Sequence, residues 1–275
     1  MNSPTVSIVI VSYNTRELLR ACLASLRAHA PEAEVIVVDN ASSDGSAAMV
    51  TADFPEVVLL AQGENRWYCG GNNLGAAAAR GRYVLFLNPD TVVRAGAVQA
   101  MVAFLDAHPD YAGATCQLRY PDGSIQQTCS RRITYAYLWG AFTPLALLPG
   151  VGQALRRRFW YADWGRDTDR DVEAVPGSCT LLRREDARMD DDLLLYFPED
   201  ALAARLRRPF RFLSSAVIEH HEKSSTANWQ ARRIFFRDLL TYTRRCHGAW
   251  QAAILAPGAY ALLGLLWLRW KVRQP

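Results

Sequence analysis

The run Tyr83-Val84-Leu85-Phe86-Leu87 is followed at once by Asn88-Pro89-Asp90-Thr91, and this junction constrains the fold more than any other part of the chain. Five consecutive apolar residues suit a strand covered on both faces. A proline cannot continue such a strand, so Asp90 must lie just past its end, at the edge where open α/β sheets bind ligands. The pattern occurs twice upstream. Val6 to Val11 leads into Ser12-Tyr13-Asn14, and Val35 to Val38 into Asp39-Asn40-Ala41-Ser42-Ser43-Asp44-Gly45. Three strand ends thus bring polar residues to one edge of a mostly parallel sheet.

Helical patterns separate these strands. Leu18, Leu19, Cys22, Leu23 and Leu26 form a buried stripe behind Thr15, a capping residue. Further helices are expected around Ala47 to Ala52, over Asn72 to Ala79 behind a Gly70-Gly71 turn, and along the stripe Val98, Met101, Val102, Leu105. Val57 to Leu60 fits a short strand. Pro121-Asp122-Gly123-Ser124 predicts a tight hairpin turn joining Ala114–Tyr120 to Ile125–Thr128. Strands alternating with helices define the α/β class. A dinucleotide-dependent dehydrogenase would share this alternation, but Ser12 to Glu17 has no glycine for a pyrophosphate.

With 275 residues, half of them hydrophobic, the chain can bury one α/β domain with an appendage. Six scattered cysteines without a CxxC pair fit reduced thiols, and no secretory signal precedes the first strand, so a cytosolic location is expected. The formal charge of +4 is uneven: residues 228–275 hold eight Arg or Lys against one acid, Asp238. These cations flank the uncharged stretch Cys246 to Leu268, which also holds tryptophans at its ends. That arrangement argues against nucleic acid and for a helical tail lying in or re-entering a membrane interface, with a true span or a helix packed on the domain as the alternatives. The expected division is an α/β domain over 1–227 and a basic, apolar helical tail over 228–275.

Together the segments resemble the family 2 inverting glycosyltransferases of the GT-A fold, over about Val6 to Ser225. The strand–SYN–helix opening, VVDNASSDGS, the ENRWYCGGNNLG segment, NPDT, EAVPGSCTLLRRE and FPEDALAAR follow the family's order of motifs. The resemblance implies that Asp39 meets the pyrimidine base of a dTDP- or UDP-sugar, with Tyr13 against the base. Asn14, Asn65, Gly70, Gly71, Asn72 and Asn88 are implied on the donor side, and Gly177-Ser178 under the acceptor. Asp90 is the implied ligand of Mg2+ or Mn2+, and His220, with His221 as the alternative, completes the metal or diphosphate site.

Of the pair Glu199-Asp200, one member is implied as general base, with Asp200 favoured, although both could simply cap the helix that Pro198 starts. NPDT and PDGSIQ look like rhamnosyltransferase members. The implied activity is therefore inverting transfer of L-rhamnose from dTDP-rhamnose to a lipid-linked or cell-envelope glycan, by an enzyme peripheral on the inner face of the cell membrane. FPEDALAAR departs from the family's FEDxDLxxR, leaving a non-catalytic, membrane-bound scaffold of the same fold as the alternative.

Overall fold

The structure, a computed structural model, describes residues 4–148, 150–222 and 229–272. Nine strands form one sheet among these residues: β1 (Val6–Ser12), β2 (Glu34–Asp39), β3 (Val58–Ala61), β4 (Tyr83–Leu87), β5 (Thr91–Val93), β6 (Gly113–Arg119), β7 (Arg170–Val172), β8 (Cys179–Arg183) and β9 (Phe210–His220). Their order is β3-β2-β1-β4-β8-β6-β9-β5, with β7 pairing β9. The first four run parallel, β8 is antiparallel to β4 and β6, and β6 runs parallel to β9. The mostly parallel α/β sheet expected from the sequence is therefore present. All five residues of β4 are buried, as its uninterrupted apolar run requires.

Helices α1 (Arg16–His29), α2 (Ser46–Asp53) and α4 (Ala97–Ala107) cover one face, where Leu19, Cys22, Leu23 and Leu26 meet Ile8, Ile10, Val37 and Leu85. The other face carries α3 (Trp67–Ala78), α5 (Tyr135–Phe142), α6 (Val151–Phe159), α7 (Pro198–Leu206), α8 (Trp229–Cys246) and α9 (Ala249–Val272). A short 3-10 turn, Pro144–Leu147, joins α5 to α6.

Several local expectations need correction. Thr15 precedes α1 but makes no side-chain cap; its hydroxyl bonds Ser12 Oγ at 2.9 Å, while the Arg16 N–H is taken by Asp44 Oδ2 at 2.9 Å. The turn at Gly123 forms, with φ +85°, yet the second arm of the expected hairpin is reduced to one bridge between Arg119 and Ile125. The segment Arg131 to Asp171, without clean periodicity, is organised partly by a buried cation. The Arg166 guanidinium, 1% exposed, donates to the carbonyls of Thr128 (3.0 Å), Tyr161 (3.0 Å), Trp164 (2.6 Å) and Trp160. Backbone oxygens in place of a carboxylate satisfy this charge.

The division at 227/228 does not coincide with a packing boundary. Phe236, Leu239 and Tyr242 of α8 and Leu255, Ala259 and Leu262 of α9 belong to the same buried cluster as Phe86, Leu182 and Phe212. Phe197 stacks on Tyr242 at 5.5 Å between ring centroids. Helices α8 and α9 form an antiparallel hairpin, with Trp229 against Trp270 at 6.0 Å. By contrast, 17% of the apolar window Ala249–Leu268 is buried, and Trp250, Ile254, Tyr260, Leu265 and Leu268 are exposed.

Candidate active site

The carboxyl edges of β1, β2 and β4 carry Tyr13, Asp39 and Asp90, and the parallel direction of β9 brings His220 to that same edge. Gly177-Ser178 arrive there because β8 runs the opposite way and starts where β4 ends; Asn88 N–H donates to Ser178 O at 3.1 Å. Residues remote in sequence therefore converge through sheet topology.

Asp39 is 3% exposed. Its Oδ2 accepts the Ser42 N–H at 3.1 Å, while Oδ1 is buried without a hydrogen-bond partner. An unpaired buried acceptor costs about 1–3 kcal/mol, a cost that a bound N–H donor would relieve. The Tyr13 ring stands half exposed above this edge. Asn14 does not point to open space: its Oδ1 accepts from Ser43 N (2.8 Å) and Ser43 Oγ (3.3 Å), tying the loop after β1 to the loop after β2.

The Gly70-Gly71 segment differs from expectation. Helix α3 begins at Trp67, so both glycines lie inside it instead of in a turn before it, and Asn72 is in its second turn instead of at its start. Its first amides are already engaged, Trp67 N with Asn65 Oδ1 (2.8 Å) and Tyr68 and Cys69 N with Leu194 O (3.0 and 3.3 Å). A Cβ at Gly71 would lie 2.8 Å from Val11 Cγ1, so this glycine lets α3 pack on β1. Asn72 Nδ2 donates to Tyr68 O (3.0 Å), and Asn73 grips Met189 and Asp191. The physical reason is the carbonyl of Leu194, which caps α3 from a distant segment.

At the end of β4 the turn is pinned by Thr91 Oγ1 donating to Asn88 O at 2.8 Å. This presents Asp90, whose Oδ1 lies 3.4 Å from His220 Nε2. Among the described residues no three Asp, Glu, His or Cys side chains converge as a metal cluster; Asp90 and His220 are a pair.

A cavity of about 580 Å3 opens beside them, lined by Ser178, Glu199, Asp200, His220 and the aromatic wall of Tyr137 and Phe159, among others. Helix α7 begins at Pro198 and directs both acids into this space. Burial pushes the Glu199 carboxyl up to about 7. Burial, then the neighbouring Glu199 charge, pushes Asp200 up to about 7. Glu199 Oε1 is buried without a partner, and a Cβ at Gly177 would stand 2.4 Å from it. Glycine at 177 therefore makes room for the carboxyl group. The Tyr68 hydroxyl donates to Gly177 O at 2.7 Å beside it.

Asp238, missed in the sequence, holds this arrangement. It is fully buried on α8, and its Oδ2 accepts the N–H groups of Leu194 (3.1 Å), Leu195 (2.9 Å) and Tyr196 (3.0 Å). These residues lead directly into α7, so the C-terminal hairpin sets the position of the acid pair. The one acid in a basic tail was the available signal.

The family model described as glycosyl transferase family 2 matches residues 7–188, about two thirds of the chain. The chain belongs to the family 2 glycosyltransferases. It is 26% identical over 97% of its length to the N-acetylglucosaminyl-diphospho-decaprenol L-rhamnosyltransferase of Mycobacterium tuberculosis, covering 94% of that protein. It is 37% identical to the succinoglycan biosynthesis protein ExoO of Rhizobium meliloti over 38% of the chain, a match spanning 30% of ExoO. Among solved structures, the mannosyltransferase PcManGT of Pyrobaculum calidifontis, in complex with GDP-Man and Mn2+, superposes with a TM-score of 0.59 at 16% identity, over 96% of this chain and 75% of that one. S. aureus TarS 1-349 gives 0.51 at 14% identity, over 94% and 71%. These superpositions confirm the GT-A α/β fold for this glycosyltransferase.

Proposed function

We propose that this glycosyltransferase moves L-rhamnose from dTDP-rhamnose, with inversion, onto a lipid-linked cell-envelope glycan. The observation that carries the transfer is the acid pair Glu199-Asp200, raised to about 7, facing a cavity that also holds His220 and Ser178. An inverting transferase needs one base on the acceptor hydroxyl, working best when its pKa lies near the operating pH. Asp200 takes that role, and Glu199 tunes it. Gly177-Ser178 form the floor on the acceptor side. The sugar assignment rests on NPDT, PDGSIQ and the full-length similarity to the mycobacterial rhamnosyltransferase. A panel of sugar nucleotides tests it, dTDP-rhamnose being the donor expected to raise Tm most and to be consumed with acceptor.

On the donor side, Asp39 receives the base N–H, Tyr13 lies against the ring, and Asn65 and Asn88 border the ribose and diphosphate. Gly70, Gly71 and Asn72 are not carried into this reading. The pair Asp90 and His220 fits a divalent cation, Mn2+ or Mg2+, because a carboxylate and an imidazole nitrogen face each other 3.4 Å apart. The Mn2+ in the archaeal neighbour supports the same class of ion. When bound, such an ion offsets charge on the departing diphosphate; with two protein ligands its retention depends on the nucleotide. Asp39→Ala is expected to weaken nucleotide binding about ten- to a hundredfold with or without metal. Asp90→Ala is expected to remove the metal-dependent increment, and calorimetry with and without Mn2+ separates the two.

The acceptor side faces a membrane in this proposal, from the cytoplasmic face. The outward residues of α9 and the exposed Leu145, Leu147 and Leu148 beside it supply an apolar surface. An interfacial position is favoured over a span because α8, with Arg232, Arg233, Arg237, Arg244 and Arg245, runs alongside α9 and would be drawn into hydrocarbon. Replacing Trp250, Ile254, Leu265 and Leu268 by serine changes exposed positions only. The variant is expected to leave anionic vesicles in a flotation assay while binding nucleotide normally; unchanged flotation would place the docking surface elsewhere.

A further inference from the structure

Gln126, the last residue of PDGSIQ, has been given no role in the site above, yet it grips His220 at two points. It is 4% exposed and lies on the segment that failed to form a hairpin arm, held by its backbone N–H to Leu118 O at 2.9 Å. Its Nε2 donates to the His220 carbonyl at 2.7 Å, and its Oε1 lies 2.9 Å from His220 Nδ1.

These two contacts place a hydrogen on Nδ1. A carbonyl oxygen can only accept, so the NH2 end of the amide must face it. The amide oxygen therefore faces Nδ1 and can only accept there, so Nδ1 carries the hydrogen. In a neutral imidazole the other nitrogen then presents a lone pair. That nitrogen, Nε2, is the atom 3.4 Å from Asp90 Oδ1. In that neutral form the Nε2 lone pair and the Asp90 carboxylate oxygen are spaced as two ligands of one cation can be.

We propose that Gln126 is a positioning residue for the cation site, fixing His220 as the Nδ1–H tautomer and aiming its Nε2 lone pair toward Asp90 before any donor binds. The proposal rests on the cation reading of Asp90 and His220. Orienting partners of metal-binding histidines commonly contribute 10- to 100-fold in metal affinity, and Gln126 belongs in that range.

The test pairs a metal-free spectroscopic measurement with a binding one. In chelator-treated protein in mildly alkaline buffer, 15N–1H correlation spectra of the imidazoles, with His220→Asn to assign the signal, are expected to show His220 protonated at Nδ1 alone. A hydrogen on Nε2, alone or with Nδ1, would overturn the proposal. Gln126→Leu is expected to lose the fixed tautomer and to weaken Mn2+ affinity, measured by calorimetry in the presence of dTDP, about 10- to 100-fold. Metal-free dTDP binding, which depends on Asp39, is expected to stay unchanged and reports that the variant is folded. Wild-type Mn2+ affinity in folded Gln126→Leu overturns the role of Gln126 if Asp90→Ala abolishes the metal response. If Asp90→Ala also keeps that response, the cation reading fails and this proposal fails with it.

Discussion

Asp200→Asn is expected to lower turnover by about 10² or more while leaving donor affinity unchanged, because an amide cannot take the acceptor proton and the side chain lines the acceptor cavity away from the base-binding edge. The same substitution is expected to stabilise the protein at neutral pH. The Asp200 carboxyl rises from its ordinary 3.8 to about 7, so between those values the native state holds more protons than the unfolded state. Stability then falls as pH rises through that window and levels off above it. Removing the charge is expected to return on the order of 1 kcal/mol, about 2–4 °C in Tm, a gain that shrinks toward pH 4. Activity has the opposite sign: the base must be deprotonated, so kcat/KM is expected to fall as pH drops below about 7. A dead Glu199→Gln beside an active Asp200→Asn would exchange the roles of the two acids, and activity in both variants would place the base elsewhere.

Asp238→Ala is expected to be the most destabilising single change in the C-terminal hairpin. It removes a fully buried carboxylate and leaves the amides of Leu194, Leu195 and Tyr196 without their acceptor. Arg237, 3.2 Å from Oδ1, loses its partner as well, though its own side chain is half exposed. Breaking a buried charged network of this kind costs about 3–5 kcal/mol. Denaturant unfolding is the direct measurement. Turnover is expected to fall more than stability alone explains, because Leu194 O also receives the first amides of α3 and the loop runs into Glu199. Asp238→Asn keeps an acceptor oxygen without the charge, and an intermediate loss is expected. Wild-type stability in Asp238→Ala would show that the 194–196 amides find other partners.

The sequence made the sheet legible where a single physical rule acted. Continuous apolar runs marked β1, β2 and β4, and the polar residues after them fell on the expected edge because parallel strands end together. The acids at the start of α7 were visible through Pro198. What stayed hidden depended on partners far along the chain. The start of α3 carries Arg66 at the cap position and Trp67 at φ +59°, neither a local start signal, and its capping oxygen comes from Leu194. Gln126 looked like a hairpin residue, and its backbone does bond Leu118, but its side chain reaches His220, far along the chain. Arg166 lies in a polar stretch with nothing local to mark it as buried, whereas Asp238, between Phe235-Phe236 and Leu239-Leu240, was marked only as the one acid of a basic tail.

The two helices after residue 228 answer to different constraints. Helix α8 reaches the acid pair through Asp238, whereas α9 turns away after Gly248, at φ +118°, and meets the domain through Leu255, Ala259 and Leu262. Its outward positions touch none of the residues of the candidate site, so on the proposed interfacial reading they are free to change with the surface they meet. On that reading, a chimera that grafts a new outer face onto α9 and keeps those three inward residues is expected to fold and bind nucleotide unchanged while its vesicle binding follows the grafted face.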